Sequence, residues 1–362
     1  MSQELINYLR LSLLKGVGPV HAKKLVSYCG SIEGVFSETA ANLHKIPNIG
    51  PHLIKQIKSS KLLSRAQQEL AFIEKNNLKW WSYWDENYPN FLKQCYDAPI
   101  LLYFKGNIDF NKAKIISIVG SRKATTYGLS FCKELIKELA PFSPIIVSGL
   151  AYGIDTCAHK AALSNGLSTI AVMAHGFETL YPSINHDLAH QMQSSGGLLT
   201  EFMSHTNIVR QNFVRRNRII AGLSQATIVV ESQSGGGAML TARMANSYDR
   251  EVFAVPGKPS DKYAKGCLEL LKQNEANLLQ SADDVVKNLL WDTQARAIQK
   301  KLFELSREEA QLLNLISKHN GIQIDLIHSL SRMSFQKTNE ILMTLELKGV
   351  LTVKPGKLYV AT

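Results

Sequence analysis

Four arginines, Arg210, Arg215, Arg216 and Arg218, lie within nine residues, and no acidic side chain occurs between Phe202 and Val230. Guanidinium groups this close repel one another unless an anion joins them. Each can also grip a phosphate through two parallel hydrogen bonds. Phe213 stands among them and offers a ring for stacking on a base, the mixture expected of a single-strand groove. Asn217, in the same run, reads as a cap or turn brace. A further arginine, Arg122, follows Gly120-Ser121, where a dinucleotide fingerprint places its second glycine. A side chain there keeps a pyrophosphate off the backbone but reaches a phosphate itself. Ser234-Gly235-Gly236-Gly237 opens a helix after an apolar strand, so its N–H groups form an anion nest. The chemistry implied is the binding of a polyanion larger than one dinucleotide.

Positioning such residues requires an open parallel sheet whose ligand crevice lies at the strand ends. From 115 to 258 apolar strands are expected at Ile115–Val119, Pro144–Ser148, Ser168–Val172, Thr227–Glu231 and Val252–Val255. Helices such as Leu129–Ala140 and Asp155–Asn165 lie between them, the pattern of right-handed βαβ units. The aromatic stretch Trp80–Trp84 and the run Ala98–Gly106 read as half-buried strands rather than stacking platforms. A linker is expected over 291–300. Three helices (307–318, 323–330 and 335–348) and two short strands about Pro355-Gly356 spell a winged helix-turn-helix.

The 362 residues carry a net charge of +11, and residues 1–65 hold nine Lys/Arg against three Asp/Glu. A basic balance points to nucleic acid or an acidic membrane surface. In the basic N-terminal segment, Gly16-Val-Gly18-Pro19 and Ile49-Gly50-Pro51 each precede a helix, resembling a pair of helix-hairpin-helix elements. Their turn glycines would bring backbone N–H groups to a phosphate, with Lys23, Lys24 and Lys55 beside them. The expected division is therefore a SAM-like or helix-hairpin-helix domain over 1–65, an extended Rossmann-like domain over 66–290 and a winged helix over 301–362.

Other chemistries are poorly served. The five cysteines show no CxxC pair and read as buried thiols in a reducing compartment. Neither a secretory signal nor an apolar run of membrane-spanning length is apparent, so a cytoplasmic protein is expected. No Gly-Lys-Ser/Thr follows the glycine run, which excludes a nucleotide-hydrolysing P-loop. His186-Asp-Leu-Ala-His190 imitates a zinc-protease helix, but Asp stands where the Glu base belongs and no third ligand is apparent. No metal or cofactor is expected.

Read as an ordered set, these residues are similar to the DprA (Smf) family of DNA-processing proteins. The set runs through Gly120-Ser121-Arg122, Ser148-Gly149-Leu-Ala-Tyr-Gly153-Ile-Asp155, Ala158-His159, Gly176, Tyr181-Pro182 and Asn185. It continues through Thr200-Glu201-Phe202, Phe213, Arg216-Asn217-Arg218, Gly222, Ser224, Glu231, Ser234-Gly235, Thr241-Ala242 and Val255-Pro256-Gly257. The resemblance implies a non-catalytic protein that binds and protects single-stranded DNA and loads the RecA recombinase during natural transformation. It also implies a homodimer built through the Rossmann-like domain, with single-strand-binding protein as a further candidate partner. Carried over by motif, Arg122, Arg210 and Phe213 form the single-strand pocket. Arg215, Arg216 and Arg218 join it on charge. Where the family usually shows Gly-Cys-Asn and Gly-Ala, this chain has Gly266-Cys267-Leu268 and Glu275-Ala276.

Two other classes compete. Nucleotide N-glycosidases of the lysine-decarboxylase-like family also use Gly-Ser-Arg and a glycine nest, but resemble Pro-Gly-Gly-x-Gly-Thr followed closely by a Glu. Here Glu201 or Glu231 would have to substitute. A winged-helix transcriptional regulator would need a basic reading helix, and residues 335–348 balance Lys337 and Lys348 against Glu340 and Glu346.

Overall fold

The computed structural model describes residues 2–111, 114–291, 306–318, 321–331, 333–348, 350–354 and 358–361. It divides into two compact units, Met1–Val285 and Val286–Thr362. The expected linker beyond Trp291 and the turn at Pro355-Gly356 lie outside the described residues.

The first unit opens with helices α1 (Ser2–Ser12), α2 (Pro19–Cys29), α3 (Ile32–Ser37), α4 (Ala40–Leu43), α5 (Pro51–Ile57) and α6 (Ser60–Lys75). Helices α2 and α5 each have glycine at the N-cap, Gly18 or Gly50, and proline in the first turn. That proline forgoes an N–H that would have no helical partner. Leu9, Leu25, Val35, Leu43 and Ile57 close a core that continues onto Ile100, Leu101 and Tyr103 of the sheet. Helix α6 runs straight through the expected boundary at residue 65.

Strands β1 (Lys79–Ser82), β2 (Leu101–Gly106), β3 (Ile115–Val119), β4 (Ile145–Ser148) and β5 (Thr169–Val172) follow. Then come β6 (Gly196–Thr200), β7 (Ala226–Val229), β8 (Glu251–Ala254) and β9 (Asn277–Leu278). Among the described residues they form one sheet in the order β1-β2-β6-β5-β4-β3-β7-β8-β9. From β6 to β9 every pairing is parallel; β1–β2 and β2–β6 are antiparallel. The strand order reverses direction at β3, between β4 and β7, which is where an open α/β sheet parts its loops into a crevice. Helices α7 (Asn90–Lys93), α8 (Thr126–Leu139), α9 (Ile154–Ser164), α10 (His186–Met192), α11 (Arg210–Leu223), α12 (Gly237–Ser247), α13 (Lys265–Lys272) and α14 (Ala282–Asn288) accompany it.

All five expected strands of the parallel sheet form within a residue or two of their anticipated limits. Strand β6 was not anticipated, because Gly196-Gly197 suppresses the β-branched signal. Strand β2 differs from the half-buried expectation: Leu101–Phe104 are buried on both faces, since helices cover one side and the core the other.

In the second unit, helices Arg307–Ser317, Ile324–Ser331 and Phe335–Leu347 pack on Leu312, Ile316, Ile327, Leu342 and Leu345. A sheet of β10 (Ile322–Gln323), β12 (Leu358–Ala361) and β11 (Leu351–Lys354) completes a winged helix. Ser306 caps the first of these helices in a reciprocal box with Glu309, both orphan N–H groups being satisfied.

Candidate nucleic-acid interface

The crevice is built from the loops that follow β3, β4, β5 and β7, together with α11. After β3 the chain turns at Gly120-Ser121-Arg122 and enters α8 through Thr125, whose side chain accepts from the Gly128 N–H. Glu231, buried just beyond β7, accepts from the Thr125 N–H at 2.9 Å and from its hydroxyl. This carboxylate therefore fixes the start of α8 and is fully occupied in doing so. The loop after β4 packs against the loop after β3, with Ile154 N donating to Ser121 O. Gly153 adopts φ +77°, and a Cβ there would collide with the Ser121 carbonyl. Ser121 Oγ accepts from Lys123 N at 3.0 Å, and Arg122 between them is exposed.

Helix α11 sorts the arginine cluster by its periodicity. Arg216 faces the sheet and is 4% exposed. Its Nη1 donates to Gly149 O at 2.7 Å and to Val172 O, and Nε to Asn217 Oδ1 at 3.2 Å. It thus ties the carbonyl just past β4 to the one at the end of β5. A Cβ on Gly149 would lie 2.6 Å from this guanidinium, so glycine leaves the room that Arg216 fills. Burial pulls the Arg216 pKa down to about 10, with the nearby Asp155 carboxylate opposing the fall. Burial likewise raises Asp155, against the pull of Arg216. Arg218 is also buried; it donates to Asp97 O and to Glu201 Oε2 at 2.5 Å. Arg215 reaches the same oxygen at 2.7 Å but stays half-exposed, lying 5.3 Å over the Phe202 ring.

The expectation of an unneutralised arginine cluster is therefore corrected. Glu201, one residue before the acid-free window, serves Arg215 and Arg218, and Arg216 is held by carbonyls inside the molecule. The cations that remain free are Arg122 and Arg210. Both are exposed, and neither has a carboxylate partner among the described residues. Arg210 stands in the first turn of α11, which has no side-chain cap and no acidic residue there. A helix start of that kind attracts an anion.

Phe213, partly exposed one turn further along, joins these groups. The Arg122 guanidinium lies 5.5 Å from its ring centroid and that of Arg216 5.9 Å. Tyr181, 41% exposed, meets it edge-on at 5.8 Å. The pairing with Tyr181 was invisible in sequence, since 32 residues separate the two rings. Behind Tyr181, His175 donates from Nδ1 to Gly176 O at 2.8 Å and accepts the Tyr181 N–H on Nε2 at 3.2 Å. Burial holds this ring neutral by lowering its pKa. Asn185 Nδ2 bonds Leu150 O and Thr156 Oγ1, tying the Tyr181 loop to the start of α9.

The remaining candidates divide. Ser234 and Gly235 are exposed ahead of α12, and the Gly236 N–H of that nest already bonds Gln233 O. Asn217 is partly buried and joins Arg216 Nε to Gly237 O, a bridge from α11 to the start of α12 rather than a local cap or turn. Gly120 is packed against Ile154. In the N-terminal helices, Lys24 and Lys55 are exposed. Lys23 is instead turned onto Tyr96 O at 3.1 Å and the Tyr83 ring at 4.0 Å, and partial burial lowers its pKa. Among the described residues no group of three or more His, Cys, Asp or Glu could hold a metal ion, and no helix is long and apolar enough to cross a membrane.

Fold and crevice together define a Rossmann-like sheet whose strand ends present cations and aromatic rings in place of a nucleotide fingerprint. Comparison with known proteins gives this class its family. Residues 79–290 match the family model for DNA recombination-mediator protein A, and residues 298–357 match the DprA winged-helix domain. Protein Smf of Synechocystis is 33% identical over 286 residues, covering 78% of this chain and 72% of its own. DNA processing protein DprA of Bacillus subtilis is 41% identical over 205 residues, 56% of this chain and 69% of that one. The X-ray structure of DprA from Streptococcus pneumoniae superposes with a TM-score of 0.66 at 32% identity, over 78% of this chain and 97% of that one. The structure of DNA processing protein A from Helicobacter pylori, described for its single-stranded DNA binding mode, covers 59% of this chain and 97% of its own. Its TM-score is 0.53 at 27% identity. The chain belongs to the DprA/Smf family of DNA-processing proteins.

Proposed function

We propose that the protein binds single-stranded DNA across Arg122, Arg210 and Phe213 and acts without catalysis as a recombination mediator. One observation carries this reading. At the strand ends, two exposed guanidinium groups without carboxylate partners among the described residues, Arg122 beside Phe213 and Arg210 at the start of its helix, accompany a partly exposed aromatic pair, while the neighbouring arginines are held inside the fold. Phosphates answer the former and bases the latter, and neither contact depends on sequence. The single-stranded DNA binding described for the Helicobacter pylori relative supports the same ligand.

Arg215 sits beside this surface, and the Ser234-Gly235 loop extends it with backbone donors. Lys24 and Lys55 are free for a more distant stretch of backbone. Delivery of the strand to RecA, a homodimer through the Rossmann-like domain, contact with single-strand-binding protein and work in the cytoplasm complete the proposal by family likeness. An N-glycosidase is disfavoured: Glu231 is committed to capping α8 and Glu201 to two arginines, so neither is placed as a general acid.

The test is titration of fluorescent single-stranded and duplex oligonucleotides of equal length at several salt concentrations. Salt-sensitive binding that favours the single strand is expected, reduced by Arg122→Ala and by Arg210→Ala. Equal affinity for duplex, or indifference to both substitutions, would overturn the assignment. Release of free base from nucleoside monophosphates would restore the enzymatic reading.

A further inference from the structure

The loop from β4 to α9 is tied into the fold at every residue but one. Gly149 O accepts from Arg216 Nη1 at 2.7 Å. Leu150 is 1% exposed and adopts φ +60°, and its carbonyl accepts from Asn185 Nδ2 at 2.9 Å. Ala151 N donates to Asp155 Oδ2 at 3.3 Å, and Ala151 O accepts from Thr156 Oγ1 at 2.7 Å. Gly153, at φ +77°, lies so close to the carbonyls of Ser121 and Arg122 that a Cβ would strike them. A leucine in the left-handed region persists only where its surroundings hold it there, and such strain gathers at binding sites. The exception in the loop is Tyr152. Its side chain is 46% exposed, and neither ring nor hydroxyl has a partner among the described residues.

The contacts that hold the loop also fix where Tyr152 stands. Gly153 sets it one residue from the backbone of Arg122, Asn185 joins the loop to that of Tyr181, and Arg216 joins it to the helix of Phe213. Arg122 thus lies between two aromatic residues, with its guanidinium beside the Phe213 ring and its carbonyl against Gly153. We infer that Tyr152 is a second stacking platform, taking a base of the strand beyond the one met by Phe213. Successive bases are joined by a phosphate, and Arg122 is the cation between the two positions. A tyrosine ring accepts any base on its face, so the platform adds affinity without sequence preference. The inference rests on the single-strand reading, since that reading supplies the bases.

The test is titration of a fluorescent single-stranded oligonucleotide of mixed sequence into the full chain and its Tyr152 variants at several salt concentrations. Tyr152→Ala and Tyr152→Leu should each weaken binding about fivefold or more, and Tyr152→Phe should recover what Tyr152→Leu loses. The salt slope should stay that of the parent chain, because a ring displaces no counterions. In Tyr152→Trp the added indole emission should be quenched when the strand binds. Parent-like affinity in Tyr152→Ala, equal affinity in Tyr152→Leu and Tyr152→Phe, a reduced salt slope or an unquenched indole would each overturn the inference. In those cases the parent chain still binds the strand, and the single-strand reading survives. If the parent chain binds no strand, that reading falls and the platform with it.

Discussion

The strand-end surface and the winged helix each carry cations on a helix, yet they treat them in opposite ways. In the winged helix Lys337 is bound to Glu308 at 2.5 Å and Lys348 to Glu309 at 2.7 Å, both within the unit. Its second and third helices expose Leu326, Leu330, Phe335 and Met343 among their polar side chains. At the strand ends Arg122 and Arg210 are left without carboxylates, and the rings beside them are partly covered. A helix that reads duplex DNA keeps its cations for phosphates. The contrast teaches that net charge alone does not separate cations spent inside the fold from cations left for a partner. Within α11 the same sorting recurs, Arg216 and Arg218 holding the fold while Arg210 faces solvent.

That division can be broken by substitution, and the largest effect is expected inside. Arg216→Ala leaves the Gly149 and Val172 carbonyls without their donor and Asp155 without its counter-charge, a loss of about 3–5 kcal/mol in urea unfolding of the first unit. A loss below about 1 kcal/mol would show that Arg216 is not the brace described.

Phe213→Ala should reduce single-strand affinity by about 1–3 kcal/mol, the range for one stacked base, with stability little changed. Arg122→Ala and Arg210→Ala should each weaken binding about tenfold for every sequence and lower the salt slope by about one. Affinity that falls for one sequence only would mean that the surface reads bases rather than backbone.

Acid sensitivity separates the units further. His159 is fully buried; its Nδ1 donates to Thr169 Oγ1 at 2.7 Å while Nε2 has no partner, and burial, aided by Arg216, lowers its pKa to about 3. The unfolded ring titrates near 6.5, so below that pH the unfolded chain binds the extra proton and the fold does not. Stability of the first unit should therefore be full above about pH 6.5 and decline as pH falls toward 3, with a flatter profile in His159→Gln. Glu309 works at lower pH: its hydrogen bond from Lys348 depresses its pKa, so that contribution is present above about 4.3 and disappears as pH falls through the depressed value. Lys348→Met should cost less than about 1 kcal/mol and leave single-strand affinity unaltered. A marked loss of affinity would move the winged helix into the DNA-binding surface.

Much of this was legible along the chain, for identifiable reasons. The parallel strands announce themselves because burial on both faces demands unbroken apolar runs such as Ile115–Val119. Strand β6 escaped because Gly196-Gly197 sits where neighbouring backbones come too close for a Cβ. The turn at Gly120-Ser121-Arg122 was legible too, since it follows directly on the apolar run that forms β3. Which arginines face outward was not legible. Arg215, Arg216 and Arg218 are chemically identical in sequence, and helical rotation alone assigns one to solvent and two to the interior.

Residue order by itself therefore determined the alternation of strands and helices, the turn after β3 and the cationic, aromatic character of the run from Arg210 to Arg218. Those properties follow from local periodicity and from side-chain chemistry, which need no partner to be read. Tertiary structure alone decided that Glu201 neutralises Arg215 and Arg218 and that Tyr181 meets Phe213. Neutralisation and burial depend on distance in space, and the groups concerned lie between 14 and 32 residues apart along the chain.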